Sequence, residues 1–430
     1  MAMVVKNNMS AISTLNTLNK NSSALSKSLQ KVSSGMKINS AADDASGYAI
    51  SERMRVQIRG LDQANSNTQN GTSMMKVAEG AVSSTVDILK TLKEKVINAA
   101  NDSNTDSDRA TIQKELDQSI DQINDNANVT FNGKYLVDGS KNAATSGTCT
   151  ALTNESLHKN MKFSTTFSAL SDRNGNSLNI NSLDTVTMSW VKEGVTCTAT
   201  VRASAQMNAL ISQANADFGT SSVSSYIGKD LAGDTVATAD GGAALTLVAA
   251  GSGVSNQISG VTFSVTNTKG QVQKSANAVL DNFSESIRAQ NQSADNQITL
   301  QVGTKANQSI KVGLTDMRAE ALGLQNSSGA TIQIGTQGQA NAAINVLDNA
   351  VQKALDQQTT IGSVESRLSY TSSNLTTASE NVQSSESTIR DADMAKEMTE
   401  YTKNNVLLQA AQSMLAQANQ SSSSVLSLLQ

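Results

Sequence analysis

Residues 50–99 read ISERMRVQIRGLDQANSNTQNGTSMMKVAEGAVSSTVDILKTLKEKVINA. Steps of four and three alternate through Ile50, Met54, Gln57, Leu61, Ala64, Thr68, Gly71, Met75, Ala78, Val82, Thr85, Leu89, Leu92, Val96 and Ala99. That is a heptad seam, the pattern of a helix that packs lengthwise on other helices. Gln57, Thr68, Gly71 and Thr85 interrupt it, yet the register holds for about seven heptads. At ~1.5 Å per residue such a helix is roughly 75 Å long. The whole chain contains no proline, which suits long helices, because an interior proline costs ~3 kcal/mol or more.

Working outward, a first seam precedes this one. Apolar residues fall at Val5, Met9, Ile12, Leu15, Leu18, Leu25, Leu29, Val32 and Met36. The segment from Lys37 to Gly47 offers Ser40, Asp43, Asp44 and Ser46 as helix caps and reads as a connector. A third helix is expected from Asp108 to about Ala127, with Ile112, Leu116, Ile120 and Ile123 on one side, and Asn132-Gly133 then marks a turn. The C-terminal third mirrors this arrangement. Ala340, Ile344, Leu347, Val351, Ala354, Gln358, Ile361, Glu365, Leu368, Ser372 and Leu375 hold one register. After Asp391, a last helix carries Met394, Met398, Tyr401, Leu408, Ala411, Leu415 and Ala418, and the tail ends on Val425, Leu426, Leu428 and Leu429. Alternation at Ile298-Leu300-Val302 and Ile310-Val312-Leu314 around Asn307 predicts a β-hairpin.

The middle, 141–297, is a different material. It is rich in Thr, Ser and Gly, alternates at Asp184–Val191 and Gly260–Thr266, and has helical patches near Ala205–Ala216 and Ala276–Ala289. This predicts one inserted α+β domain in a mainly α protein. Trp190, in the run TVTMSWV, is expected in the core of that insertion, Met74 and Met75 on a packing surface, and Gly241-Gly242 in a turn.

Composition narrows the function. Of 430 residues only 16% are charged and 3% aromatic, so packing relies on Leu, Ile, Val, Met and Ala. A net charge of −4 points to neither nucleic acid nor an anionic membrane, and no apolar run reaches the ~20 residues that span a bilayer. The start, MAMVVKNNMSAISTL, has no continuous apolar core and no cleavage site of small residues, so a Sec-type signal is not expected. His158 is the only histidine and is expected at the surface. Cys149 and Cys197 are the only cysteines, with no Cys-x-x-Cys, so no metal site or cofactor is expected; they are either two thiols or one disulfide. No His-Glu-x-x-His, Gly-x-Ser-x-Gly or phosphate loop occurs, and the chain is not expected to be an enzyme.

The two ends pose a physical problem. Each is an amphipathic helix without an adjacent core, and an isolated Asn/Ser-rich helix is marginal in water. They must pack on each other, on other copies, or stay disordered. Ends that fold only when neighbours supply apolar surface, through contacts that do not close, build a helical filament. An ordinary intramolecular bundle has the same periodicity, so the pattern alone leaves both open.

Residues 29–74, LQKVSSGMKINSAADDASGYAISERMRVQIRGLDQANSNTQNGTSM, resemble the N-terminal signature of bacterial flagellins. Residues 366–420, SRLSYTSSNLTTASENVQSSESTIRDADMAKEMTEYTKNNVLLQAAQSMLAQANQ, resemble their C-terminal one, as do the Phe131-Asn132-Gly133 turn and the stretch 298–324. The resemblance covers about 1–140 and 298–430, with the insertion where flagellins vary. It implies a subunit of the bacterial flagellar filament used in swimming, exported unfolded by the flagellar type III apparatus to the outside of the cell. It implies N- and C-terminal assembly helices, 1–42 and 386–430, in the innermost layer. Residues 43–140 and 298–385, including the hairpin 298–315, would form a helical rod, and 141–297 a surface-exposed domain. Implied self-assembly residues are Val5, Met9, Ile12, Leu18, Leu25, Leu29, Val32, Met36, Met394, Met398, Tyr401, Leu408, Ala411, Leu415 and Ala418.

The implied partners are further copies of the chain, an export chaperone over the C-terminal helix, a cap protein and the hook-junction proteins. The animal Toll-like flagellin receptor meets an Arg and, four residues on, a Leu; here those positions are Thr91 and Lys95, while Ile112 and Glu115 agree with the family. Weak recognition is therefore expected, since Thr cannot make the paired hydrogen bonds of Arg. The chain departs from the family at its tail also, with Ser421–Ser424 and a final Gln430. A hook–filament junction protein, which shares the terminal helices, and a flagellin whose insertion has an added binding activity are the competing readings.

Overall fold

The structure is a computed structural model that describes residues 8–162, 164–214 and 244–428. Val5, Gly241-Gly242, the end of the Ala205–Ala216 patch, Leu429 and Gln430 lie outside the described residues, as do the side chains from 422 onward. The chain divides into two compact units, one of Met1–Thr68, Gln301–Gln308 and Tyr370–Gln430, the other of Gln69–Leu300 and Ser309–Ser369. Two long helices, α2 (Ala45–Ala99) and α7 (Gln337–Arg390), contribute residues to both.

In the first unit, helix α1 (Met9–Ser34) lies antiparallel to α8 (Met394–Leu428). Asn8 caps α1 by accepting from the Ala11 amide at 3.0 Å, and Gly35, at φ 69°, ends it with its amide donating to Lys31. In the connector, Asp44 accepts from the Ser46 and Gly47 amides at 3.0 Å, which opens α2. A Cβ on Gly47 would lie 2.5 Å from Asp44 Oδ2 and 2.7 Å from Ile38 Cδ1, so no larger residue fits there without a shift. Along α2 and α7 in this unit, Leu61 and Ala64 pack with Leu375.

In the second unit the α2 seam is closed. From Met75 through Ala78, Val82, Leu89, Leu92 and Val96 to Ala99, every side chain is at most 1% exposed. Two of the interruptions in the seam are accounted for, one within the helix and one by packing. Thr85 Oγ1 donates to its own helix at Ala81 O (3.0 Å), so its buried hydroxyl is satisfied. Gly71 is a point of close approach: a Cβ there would lie 2.7 Å from Leu300 Cδ1. Helix α3 (Asp106–Ala127) starts with the Thr105/Asp108 capping box and buries Leu116, Ile120 and Ile123. Its Arg109 is nearly buried and closes the end of α2, with Nε donating to Ala99 O at 2.9 Å and Nη2 to Asn101 O at 3.1 Å. The Asn132-Gly133 turn joins β1 (Thr130–Phe131) to β2 (Lys134–Tyr135), with both turn residues at positive φ.

The insertion is α+β. Strands β3 (Ala151–Asn154), β4 (Thr185–Lys192), β5 (Val195–Arg202), β6 (Leu245–Val248), β7 (Ile258–Thr266) and β8 (Phe283–Ile287) form two antiparallel three-stranded sheets, ordered β6-β3-β8 and β5-β4-β7. Leu152, Trp190, Leu245 and Phe263 share one core with the short helices α4 (Met207–Gln213) and α5 (Lys274–Leu280). The helical patch expected over Ala276–Ala289 is corrected: it stops at Leu280, and 283–287 is strand β8. The reason is pairing, because Phe283 to Ile287 alternate burial as they add to β3.

This insertion is docked on α7 by polar and charged side chains. Asn345 Nδ2 donates to Val261 O (3.1 Å) and Asn349 Nδ2 to Ser259 O (2.7 Å). A Cβ on Gly260 would lie 3.1 Å from the Val346 amide nitrogen, which is why the strand can approach the helix so closely. Lys353, 7% exposed, pairs with Glu285, 6% exposed, at 3.3 Å, and Arg288 pairs with Asp356. Burial lowers the Lys353 amine and raises the Glu285 carboxyl, each opposed by the other's charge. The hairpin of β9 (Ile298–Gln301) and β10 (Ser309–Val312) forms as expected, with Asn307 at φ 67°, and α6 (Ala319–Leu322) precedes α7.

Candidate self-assembly surface

The hydrogen bonds and the ion pair between α1 and α8 come from Asn, Ser, Lys and Glu side chains. Asn8 Nδ2 donates to Ala418 O at 3.1 Å and Asn21 Nδ2 to Leu407 O at 3.1 Å. Asn404 Nδ2 donates to Ser28 Oγ at 2.9 Å, and Lys31 pairs with Glu397 at 3.5 Å. Among the described side chains of the two helices, Ser28 and Ala411 are the buried ones, at 7% each. Leu18, Leu25, Val32, Leu408 and Leu415 are half-buried alongside them, and other large apolar residues stand open. Met9, Ile12, Leu15 and Leu29 on α1, and Met394, Met398, Val406, Leu407 and Met414 on α8, are 42–70% exposed.

The self-assembly residues named from the sequence therefore divide. Leu18, Leu25, Val32, Met36, Tyr401, Leu408, Leu415 and Ala418 are half-buried, and Ala411 is buried. Met9, Ile12, Leu29, Met394 and Met398 stay exposed, and Val5 lies outside the described residues. Heptad reading missed Val406, Leu407 and Met414, because it follows one stripe and these sit off it; the plain abundance of apolar residues on the last helix was the available signal.

It also missed Arg390. Its side chain is 8% exposed and pairs with Glu52 at 2.7 Å. It lies over the Tyr48 ring at 5.6 Å and donates to Met36 Sδ at 3.1 Å. The arginine holds the Glu52 carboxyl below its ordinary pKa. Backbone bonds reinforce the knot: Lys37 N donates to Arg390 O (2.7 Å) and Ala392 N to Gly35 O (2.9 Å). Four helix ends are thereby tied together, which orients α1 and α8 as a pair.

Thr91 is exposed and its hydroxyl donates to Asp87 O (3.0 Å). Lys95 pairs with Glu115 at 3.0 Å, and Ile112 is half-buried on the same helix as Glu115. Cys149 and Cys197 are thiols; the structure does not join them. Burial raises the Cys149 thiol, and Cys197 sits opposite Trp190 in the β4/β5 register. Trp190, 4% exposed, is core, as are Met74 and Met75. His158 is half-buried, its Nδ1 accepting from the Asn160 amide at 3.2 Å. Among the described residues no cluster of His, Cys, Asp or Glu could hold a metal, and no helix is long and apolar enough to cross a membrane.

The helices α1 and α8 thus pair through polar contacts and half-buried apolar residues, and they leave nine of their described large apolar side chains exposed. The N-terminal helical region of bacterial flagellin matches residues 5–142, and the C-terminal helical region matches 344–429. A flagellin of Clostridium tyrobutyricum is 34% identical, covering 97% of this chain and 99% of its own, and one of Bacillus subtilis is 30% identical, covering 99% and 100%. A hook-associated protein-3 structure from Legionella pneumophila aligns at 14% identity and TM-score 0.34, over 78% of this chain and 97% of that one. The chain belongs to the bacterial flagellin family, the structural subunits of the extracellular flagellar filament.

Proposed function

We propose that the apolar side chains around the α1/α8 pair are the surface on which copies of the chain polymerise. The pair would form the innermost layer of the filament, 43–140 with 298–385 the rod around it, and 141–297 the outward face. One observation carries this reading: nine large apolar residues on two paired helices are turned away from the contact between them, 42–70% exposed. Burying such side chains is worth ~1.5–3 kcal/mol each, and only another molecule can supply the covering surface. The chemistry of the chain is mechanical on this reading, with no catalysis and no cofactor.

The same face accounts for the other partners. An apolar helix that waits for neighbours must be covered before assembly, which is the task of an export chaperone over α8. The cap protein and the hook-junction proteins would meet the same helices at the filament ends. Deleting 1–36 or 391–430 is expected to leave a folded, helical monomer that forms no filaments by negative-stain microscopy after seeding. Filaments from either truncation would refute the assignment.

The receptor reading extends to α2. Thr91 offers one hydroxyl, already used within its own helix, and Lys95 is held by Glu115. Weak activation of the animal Toll-like flagellin receptor is expected, with a gain of roughly tenfold or more in reporter-cell potency for a Thr91→Arg, Lys95→Leu double variant. No gain would place the defect elsewhere.

A further inference from the structure

The chain has fourteen methionines, and among the described ones six are buried at 8% exposure or less: Met74, Met75, Met161, Met188, Met207 and Met317. Met36 and Met54 are half-buried. The described methionines that stand open are Met9 at 70%, Met394 at 43%, Met398 at 45% and Met414 at 63%, and all four are on α1 and α8. The thioethers that solvent can reach are thus concentrated on the helices by which the chain associates. We infer that these four methionines are oxidation sites that set whether a free subunit can enter a filament. This rests on the reading of the α1/α8 face as the polymerisation surface.

The oxidant is hydrogen peroxide. A sulfur lone pair attacks one peroxide oxygen, an S–O bond forms and the O–O bond breaks. The second oxygen leaves as water after taking up the proton; sulfur loses two electrons and peroxide gains them. The product is a sulfoxide, which turns a flexible apolar side chain into a polar one. Exposed on the monomer, the new S=O group is solvated and the helices are undisturbed. Carried into an apolar contact between subunits it loses that hydration without a partner, and association weakens. Once assembled, the same sulfur atoms are covered and react slowly. Oxidation therefore rejects loose subunits and spares finished filament. A reductase for methionine sulfoxide would restore the monomer, because this first oxidation step is reversible.

The test uses full-length monomer treated with hydrogen peroxide, peptide mass spectrometry to locate sulfoxides, and seeded pelleting to read the critical concentration. Sulfoxides are expected first at Met9, Met394, Met398 and Met414, with a rise in critical concentration of about tenfold or more. Methionine sulfoxide reductase should reverse it, and filaments given the same dose should keep these four methionines reduced. A Met9→Leu, Met394→Leu, Met398→Leu, Met414→Leu variant should polymerise alike before and after peroxide. A Met414→Gln variant, polar without any oxidant, covers the case in which the quadruple variant fails to assemble, and should raise the critical concentration by itself. Normal polymerisation of the oxidised wild type, or equal peroxide sensitivity in the leucine variant, overturns the inference. Filaments from chains lacking 1–36 or 391–430 would instead overturn the reading beneath it.

Discussion

The seam on α2 from Met75 to Ala99 and the seams on α1 and α8 have the same apolar periodicity and opposite fates. The first is shut to solvent within the chain, at 0–1% exposure for Met75, Ala78, Val82, Leu89, Leu92, Val96 and Ala99. The second presents Met9 and Met398 at 70% and 45%. The difference lies in what each helix has beside it. α2 receives α3, the β9/β10 hairpin and α7, whereas α1 and α8 have each other, which leaves Leu18, Leu25, Leu408 and Leu415 only half-buried. A heptad pattern thus says that a helix wants a lengthwise partner; it does not say whether the partner is in the same molecule.

The charged contacts test this contrast most severely. Lys353 and Glu285 are both buried in the second unit, whereas Lys31 and Glu397 are 29% and 15% exposed. Glu285→Gln leaves Lys353 without its main partner and should cost about 3–5 kcal/mol in monomer unfolding, most of it recovered in a Glu285→Leu, Lys353→Met double variant. Glu397→Gln should cost about 1 kcal/mol or less in the same assay. Equal losses would show that the terminal pair is as closed as the insertion's dock.

Leucine truncations come next. Leu92→Ala should lower monomer stability by about 2–5 kcal/mol in a denaturant titration. Leu29→Ala, at a position 52% exposed, should leave that titration within about 0.5 kcal/mol and instead raise the critical concentration for filaments. A large monomer effect at Leu29 would mean that α1 finds an intramolecular cover.

The smallest effect concerns pH and the insertion core, a third kind of environment. Burial raises the Asp281 carboxyl from 3.8 to about 7, against a backbone bond from Phe263 that favours the charged form. The folded state therefore holds this proton more tightly than the unfolded chain. Its contribution is fully present below the unfolded value and is lost as pH rises through about 7. Asp281→Asn should raise the melting temperature more at about pH 8 than at about pH 5. A uniform shift at both would place Asp281 in contact with water.

By itself the sequence determined the helices, their seams and the break at the insertion. Apolar spacing, absent proline and capping residues are local properties, and they survive any choice of partner. It also determined the family, through 29–74 and 366–420. Only the tertiary structure decided which seams close. It showed that Gly71 admits Leu300 and that Phe283 to Ile287 leave the helical pattern to pair with β3. It brought Arg390 onto Glu52 and Tyr48, and Lys353 onto Glu285. These are contacts between residues far apart in the chain, where burial, not spacing, sets the energy. A one-dimensional pattern records what each residue prefers and is silent on which surface arrives to satisfy it.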